Sequence, residues 1–154
     1  MKLLLKAAVF LFVFTFFSCQ NEADITSINF EKQFSKNKRS RFPLSDILKI
    51  NVKWDKVVIL PPYFPESILS PLDMKNNSQL KSKIMYNSMD EGLTTVVFLD
   101  YSRAVAFSKV RRNLIDLTML VPASGIRLLT KNESINITVI REKEKKWAKY
   151  IIEE

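Results

Sequence analysis

The side chains best equipped for chemistry in this sequence are carboxylates, lysines and arginines, because histidine does not occur and cysteine occurs once. Without histidine the chain has neither the commonest general base near neutral pH nor the commonest transition-metal ligand. A Ser–His–Asp relay therefore cannot be assembled within one chain. The only glycines are Gly92 and Gly125, so no glycine-rich phosphate loop exists. The single cysteine is Cys19. Glu91, Asp100 and Asp116 could pair for acid–base work, but each stands beside an expected turn or irregular stretch, where acidic residues are routine. The expectation is a non-enzyme with no metal and no cofactor. A hydrolase that works without histidine is the remote alternative.

Cys19 is the one residue whose surroundings specify a reaction. Lys2 and Lys6 form a basic head, Leu3–Leu5 and Ala7–Phe17 an apolar run, and Ser18 places a small residue before the cysteine. A basic head, an apolar middle and a small-residue cut site make a secretory signal. The run from Ala7 is short of the roughly 20 residues that a spanning helix needs. Phe16-Phe17-Ser18-Cys19 resembles a lipobox, with aromatics where Leu and Ala or Val are commoner. Such Phe-rich lipoboxes are similar to those of Bacteroidota lipoproteins. The resemblance implies a diacylglycerol on the Cys19 thiol, cleavage after Ser18 and acylation (palmitate among the chains) of the new amine. Each buried methylene contributes about 0.8 kcal/mol, and stable attachment takes two or more chains. The alternatives are a secreted protein with a free cysteine, or an N-terminal membrane helix. The expected location is the cell envelope, at the outer membrane or periplasmic face, with surface exposure left open. With Cys19 carrying lipid, no thiol is left for a disulfide.

The formal net charge is +8, of which Lys2 and Lys6 would leave with the signal. The remaining basic residues are scattered, as on a solvated face, and an envelope address argues against nucleic acid. Residues 20–43 read as a tether. Gln20 to Asp24 are polar and mildly acidic, and Ser35–Arg41 is basic without apolar periodicity. A basic stretch beside a lipid anchor could touch anionic headgroups; a soluble spacer is the blander alternative. The expected organisation is a signal peptide at 1–18, the lipidated cysteine and flexible tether at 19–43, and one domain at 44–154.

Within that domain, Ser45 or Asp46 can cap a short helix to Ile50. Val57–Leu60, bounded by Pro61-Pro62, reads as a buried strand. Pro65 suits the first position of a second short helix, with Glu66 near its positive end. Residues 73–83 are polar and read as a loop, while Lys83–Met89 fits a strand or a helix. Asp90-Glu91-Gly92 is a turn signal. Thr94–Leu99 and Ala104–Val110 form a hairpin through Asp100–Arg103. Leu114–Val121 fits a strand or an irregular segment. Ser134–Arg141 alternates like a half-wet strand, Glu142–Lys146 is a charged turn, and Trp147–Ile152 returns. The fold class is α+β: an antiparallel sheet of about four to six strands with two short N-terminal helices on one face.

Trp54-Asp55-Lys56-Val57-Val58-Ile59-Leu60-Pro61-Pro62-Tyr63, followed by Glu66 and Ile68, resembles a strand-to-helix motif of small bacterial lipoproteins. The likeness extends in order through the Gly92–Leu99 strand and Arg112–Asp116. It implies location and fold, and it supplies no activity. In this motif Trp54, Asp55, Pro62 and Tyr63 form a candidate binding patch, since aromatics at strand ends often make interfaces. The architectural alternative has Trp54 capping the core, Asp55 satisfying backbone N–H groups and Pro62 shaping the strand exit. The expected function is a lipid-anchored envelope protein, a non-catalytic binding or structural module with a protein or structural partner. The alternative is an inhibitor or immunity-type lipoprotein.

Overall fold

Val57-Val58-Ile59-Leu60 and Val96-Val97-Phe98-Leu99 have no polar face, so the strands they form must be covered on both sides. In the computed structural model, which describes residues 25–70, 72, 78–123, 125–142 and 149–153, this is what happens. The strands in chain order are β1 (Thr26–Ile28), β2 (Arg41–Pro43), β3 (Lys56–Leu60), β4 (Leu93–Asp100), β5 (Arg103–Arg111), β6 (Arg127–Thr130), β7 (Thr138–Arg141) and β8 (Tyr150–Glu153). The α-helices among the described residues are α1 (Phe30–Lys36), α2 (Ser78–Ser88) and α3 (Lys131–Asn136).

One sheet has the order β1-β5-β4-β3-β6 and the other β2-β7-β8. Pairing is antiparallel except that β1 runs parallel to β5. Alternate residues of the large sheet feed two separate cores. Val57, Ile59, Val96, Phe98, Ala106 and Leu129 join Phe30, Phe34, Trp54 and the small sheet. Val58, Leu60, Val97, Leu99 and Phe107 join Phe64, Leu69, Leu80 and Ile84. Antiparallel sheets usually keep one face wet; this one is the middle layer of three.

The chain is therefore a mixed α and β protein, but the single sheet with helices on one face gives way to two sheets with helical cover on both faces of the larger. The expected tether is also corrected. Phe30, Phe34 and Phe42 are buried, so residues 26–43 belong to the domain. Phe30 stacks on Phe98 at 6.1 Å, and Phe34 meets Tyr150 at 4.5 Å and Phe42 at 6.4 Å between ring centroids. Asn29 caps α1 by accepting from the Lys32 N–H at 3.2 Å.

Other elements shift for local reasons. The expected helices after Pro43 and Pro65 are 3-10 turns, Leu44–Asp46 and Glu66–Leu69. Helix α2 replaces much of the expected loop, because Leu80 and Ile84 stand one turn apart and pack on the sheet. Leu117–Leu120 is a 3-10 turn. The first residues of the expected 134–141 strand are helical in α3. There Thr130 accepts from the Glu133 N–H while the Glu133 carboxylate accepts from the Thr130 N–H at 2.7 Å, a reciprocal capping box. The returning strand starts at Tyr150. Residues 1–24, including Cys19, and residues 143–148, including Trp147, lie outside the described residues.

Candidate functional site

Trp54 and Asp55 precede β3, and Pro62 and Tyr63 follow it. Strands rise about 3.3 Å per residue, so the two pairs stand roughly 20 Å apart at opposite ends of the large sheet. The candidate patch thus divides in two.

At the first end, Trp54 is buried and meets Phe98 edge-on at 5.4 Å. The Lys131 ammonium lies 4.6 Å from the Trp54 ring centroid, a cation–π contact. The Asp55 Oδ1 accepts a hydrogen bond from the Tyr101 N–H at 3.0 Å. Its backbone N–H donates to Leu99 O at 2.9 Å, and its carbonyl accepts from the Lys131 N–H at 3.2 Å. Both residues thus have the architectural contacts. Asp55 pins the β4–β5 turn, which has two linking residues, Tyr101 and Ser102, rather than four. Tyr101 has φ +58° and is 75 % exposed.

At the second end, Tyr63 also has a left-handed backbone, φ +57°, and is 66 % exposed. Non-glycine residues rarely adopt this conformation, and it persists only where surroundings hold it. Here the Tyr63 N–H donates to Ser88 O at 2.7 Å. Ser88 ends α2 and is flanked by Tyr86 and Met89, which are 74 % and 71 % exposed. Pro62 is half-buried and leads the chain into this junction. Two tyrosines and a methionine are thereby presented at one end of the sheet beside a constrained backbone. Tyr86 and Met89 were absent from the sequence-derived patch; their i, i+3 spacing is the available signal, and it needs α2 to be recognised as a helix.

The carboxylates do not converge. Asp100 stands at the first end and pairs with Lys53 at 3.3 Å. Glu91 and Asp116 stand near the second. Asp116 is held by Arg112 in a two-pronged pair, Nε–Oδ1 3.1 Å and Nη2–Oδ2 2.9 Å, and Thr118 donates to it from its backbone N–H and its hydroxyl. Burial opposes the Asp116 charge, but the hydrogen bonds from Arg112 and Thr118 outweigh it and hold the carboxyl below its ordinary range. Arg112 also donates to Glu91 O at 3.1 Å. This cluster clamps the chain leaving β5 to the turn before β4. No group of three or more acidic, His or Cys side chains that could hold a metal occurs among the described residues.

A groove of about 450 Å³ runs beside α1, lined by Glu31, Phe34, Arg111, Asn113, Lys149 and Tyr150. Its acidic residue, Glu31, is paired with Arg111. The hydrogen bond from Arg111 holds the Glu31 carboxyl below its ordinary range, against the cost of desolvation. Among the described residues, no helix is long and apolar enough to cross a membrane. No protein-family model, no curated protein and no solved structure matches the chain.

Proposed function

We propose that the chain is a lipid-anchored protein of the cell envelope, a non-catalytic module that binds a protein partner through Tyr63, Tyr86 and Met89. The observation that carries the contact site is the conjunction at Ser88. A strained, exposed tyrosine is hydrogen-bonded to the end of a helix that exposes a second tyrosine and a methionine. Aromatic and methionine side chains are enriched where interfaces carry their energy. A left-handed non-glycine residue stores strain of order 1–3 kcal/mol, which is typical of sites kept for contact. Trp54 and Asp55 are assigned to architecture. The anchor rests on the Lys2-to-Cys19 pattern.

Two experiments test this. Palmitate labelling with membrane fractionation compares the wild type with Cys19→Ala; loss of both label and membrane association is expected, and retention of both refutes the anchor. A photo-crosslinking residue at Tyr63 or Met89 in cells should give a discrete adduct that the same residue at Lys38 does not. Identical patterns at all three positions refute the contact site. Identification of the adduct as a toxin or hydrolase would favour the inhibitor or immunity-type reading.

A further inference from the structure

We infer that the end of the large sheet bearing the β4–β5 turn lies against an anionic phospholipid surface, with Tyr101 at the headgroup level. The inference rests on the lipid anchor at Cys19, and it assigns the orientation of the domain on the bilayer.

Chain length comes first. The first described residue is Ile25, and β1 pairs Thr26 with Ala106 and Ile28 with Ser108 in parallel register. The N-terminal end of β1 therefore points toward Arg103 and the turn. Five residues lie between Cys19 and Ile25, so six steps of at most about 3.6 Å each span roughly 20 Å when fully extended. That length is enough to reach past the Tyr101 turn. To reach the level of Arg111, at the opposite end of β5, the chain would have to reverse at Ile25 and be pulled taut. An anchor with so short a leash brings the turn end close to the bilayer and leaves Tyr63, Tyr86 and Met89 facing away from it.

The chemistry of the turn end fits such a surface. Tyrosine is enriched at membrane–water interfaces, where the ring sits among headgroups. The Lys53 ammonium lies 5.5 Å from the Tyr101 ring centroid. Basic residues near an anionic leaflet are attracted to it within a Debye length. Of the acidic side chains at this end one is ion-paired, and the other two accept hydrogen bonds from the protein. Asp100 pairs with Lys53, Asp55 accepts from Tyr101, and Glu133 accepts from Thr130. Arg103 is exposed and has no ion-pair partner among the described residues, whereas the Lys131 ammonium is held over the Trp54 ring. The Arg103 charge is available to phosphate.

Because Cys19 is the sole cysteine and would be acylated, an introduced cysteine is the only reactive thiol. Acylated full-length Ser102→Cys and Glu91→Cys proteins, each carrying an environment-sensitive fluorophore, are reconstituted into phosphatidylcholine–phosphatidylglycerol vesicles containing a nitroxide lipid. Ser102 fluorescence should be quenched several-fold more than Glu91 fluorescence, and Arg103→Glu should reduce the difference clearly. Equal quenching at both positions in protein that floats with the vesicles overturns the orientation and leaves the anchor intact. Quenching at Ser102 that is undiminished in phosphatidylcholine alone overturns the role of anionic lipid. Flotation of Cys19→Ala at wild-type levels overturns the anchor, and the orientation with it.

Discussion

The Asp55 carboxylate and the Tyr101 backbone N–H are 3.0 Å apart, although they stand 46 positions apart in the chain. One side chain, placed just before β3, thereby fixes the turn between the next two strands in a conformation that tyrosine seldom adopts. Asp55→Ala removes the acceptor and leaves Tyr101 strained. A loss of about 1–2 kcal/mol is expected, read by denaturant unfolding. Asp55→Asn retains an acceptor oxygen and should lose less than half as much. Equal losses in the two variants would show that the hydrogen bond is not what matters.

Tyr63→Gly should separate stability from contact. Glycine accepts φ +57° without strain, so folding stability should hold or rise by up to about 1 kcal/mol. Crosslinking through neighbouring Met89 should fall at the same time. A clear drop in melting temperature would mean that the Tyr63 ring is structural.

Phe34→Ala tests whether residues 26–43 are domain or leash. Phe34 is 1 % exposed and contacts Phe42 and Tyr150. Removing a buried aromatic costs about 3–5 kcal/mol, enough to unfold a marginal domain. An unfolding midpoint unchanged from wild type would restore these residues to the role of tether.

Asp116→Asn should cost about 2–3 kcal/mol at neutral pH, because it removes the charge from a largely buried two-pronged pair with Arg112. The folded Asp116 carboxyl titrates below its unfolded value. Its stabilising contribution is therefore complete above about pH 4 and is lost as pH falls through the lower, folded pKa. Wild type and variant should accordingly converge in acid. A stability gap that stays constant down to pH 2 would contradict the pairing.

The strands were legible where their chemistry is local. Val57–Leu60 and Thr94–Leu99 are β-branched and bounded by proline or a turn, and both are strands. The hairpin to Ala104–Val110 followed from adjacency. Helix α3 was also readable in principle, since Thr130 and Glu133 have the spacing of a capping box. The alternation of Ile135, Ile137 and Val139 hid it, and of these Ile135 is exposed on the helix. Helix α2 was obscured by polar residues, because Leu80 and Ile84, with Met85 partly buried beside them, are enough to seat it.

Residue type alone determined the absence of histidine chemistry, the identity of the sole thiol and the strength of the central strands. These depend on composition and nearest neighbours. The tertiary structure decided what contacts across distance decide: that Phe30, Phe34 and Phe42 close a core with Phe98 and Tyr150, and that β3 divides Trp54-Asp55 from Pro62-Tyr63. A sequence motif is contiguous along the chain, but an extended strand carries its two ends to opposite poles of the molecule. Tyr63 finds its neighbours at Ser88 and Asp55 finds its own at Tyr101 only after the sheet has formed.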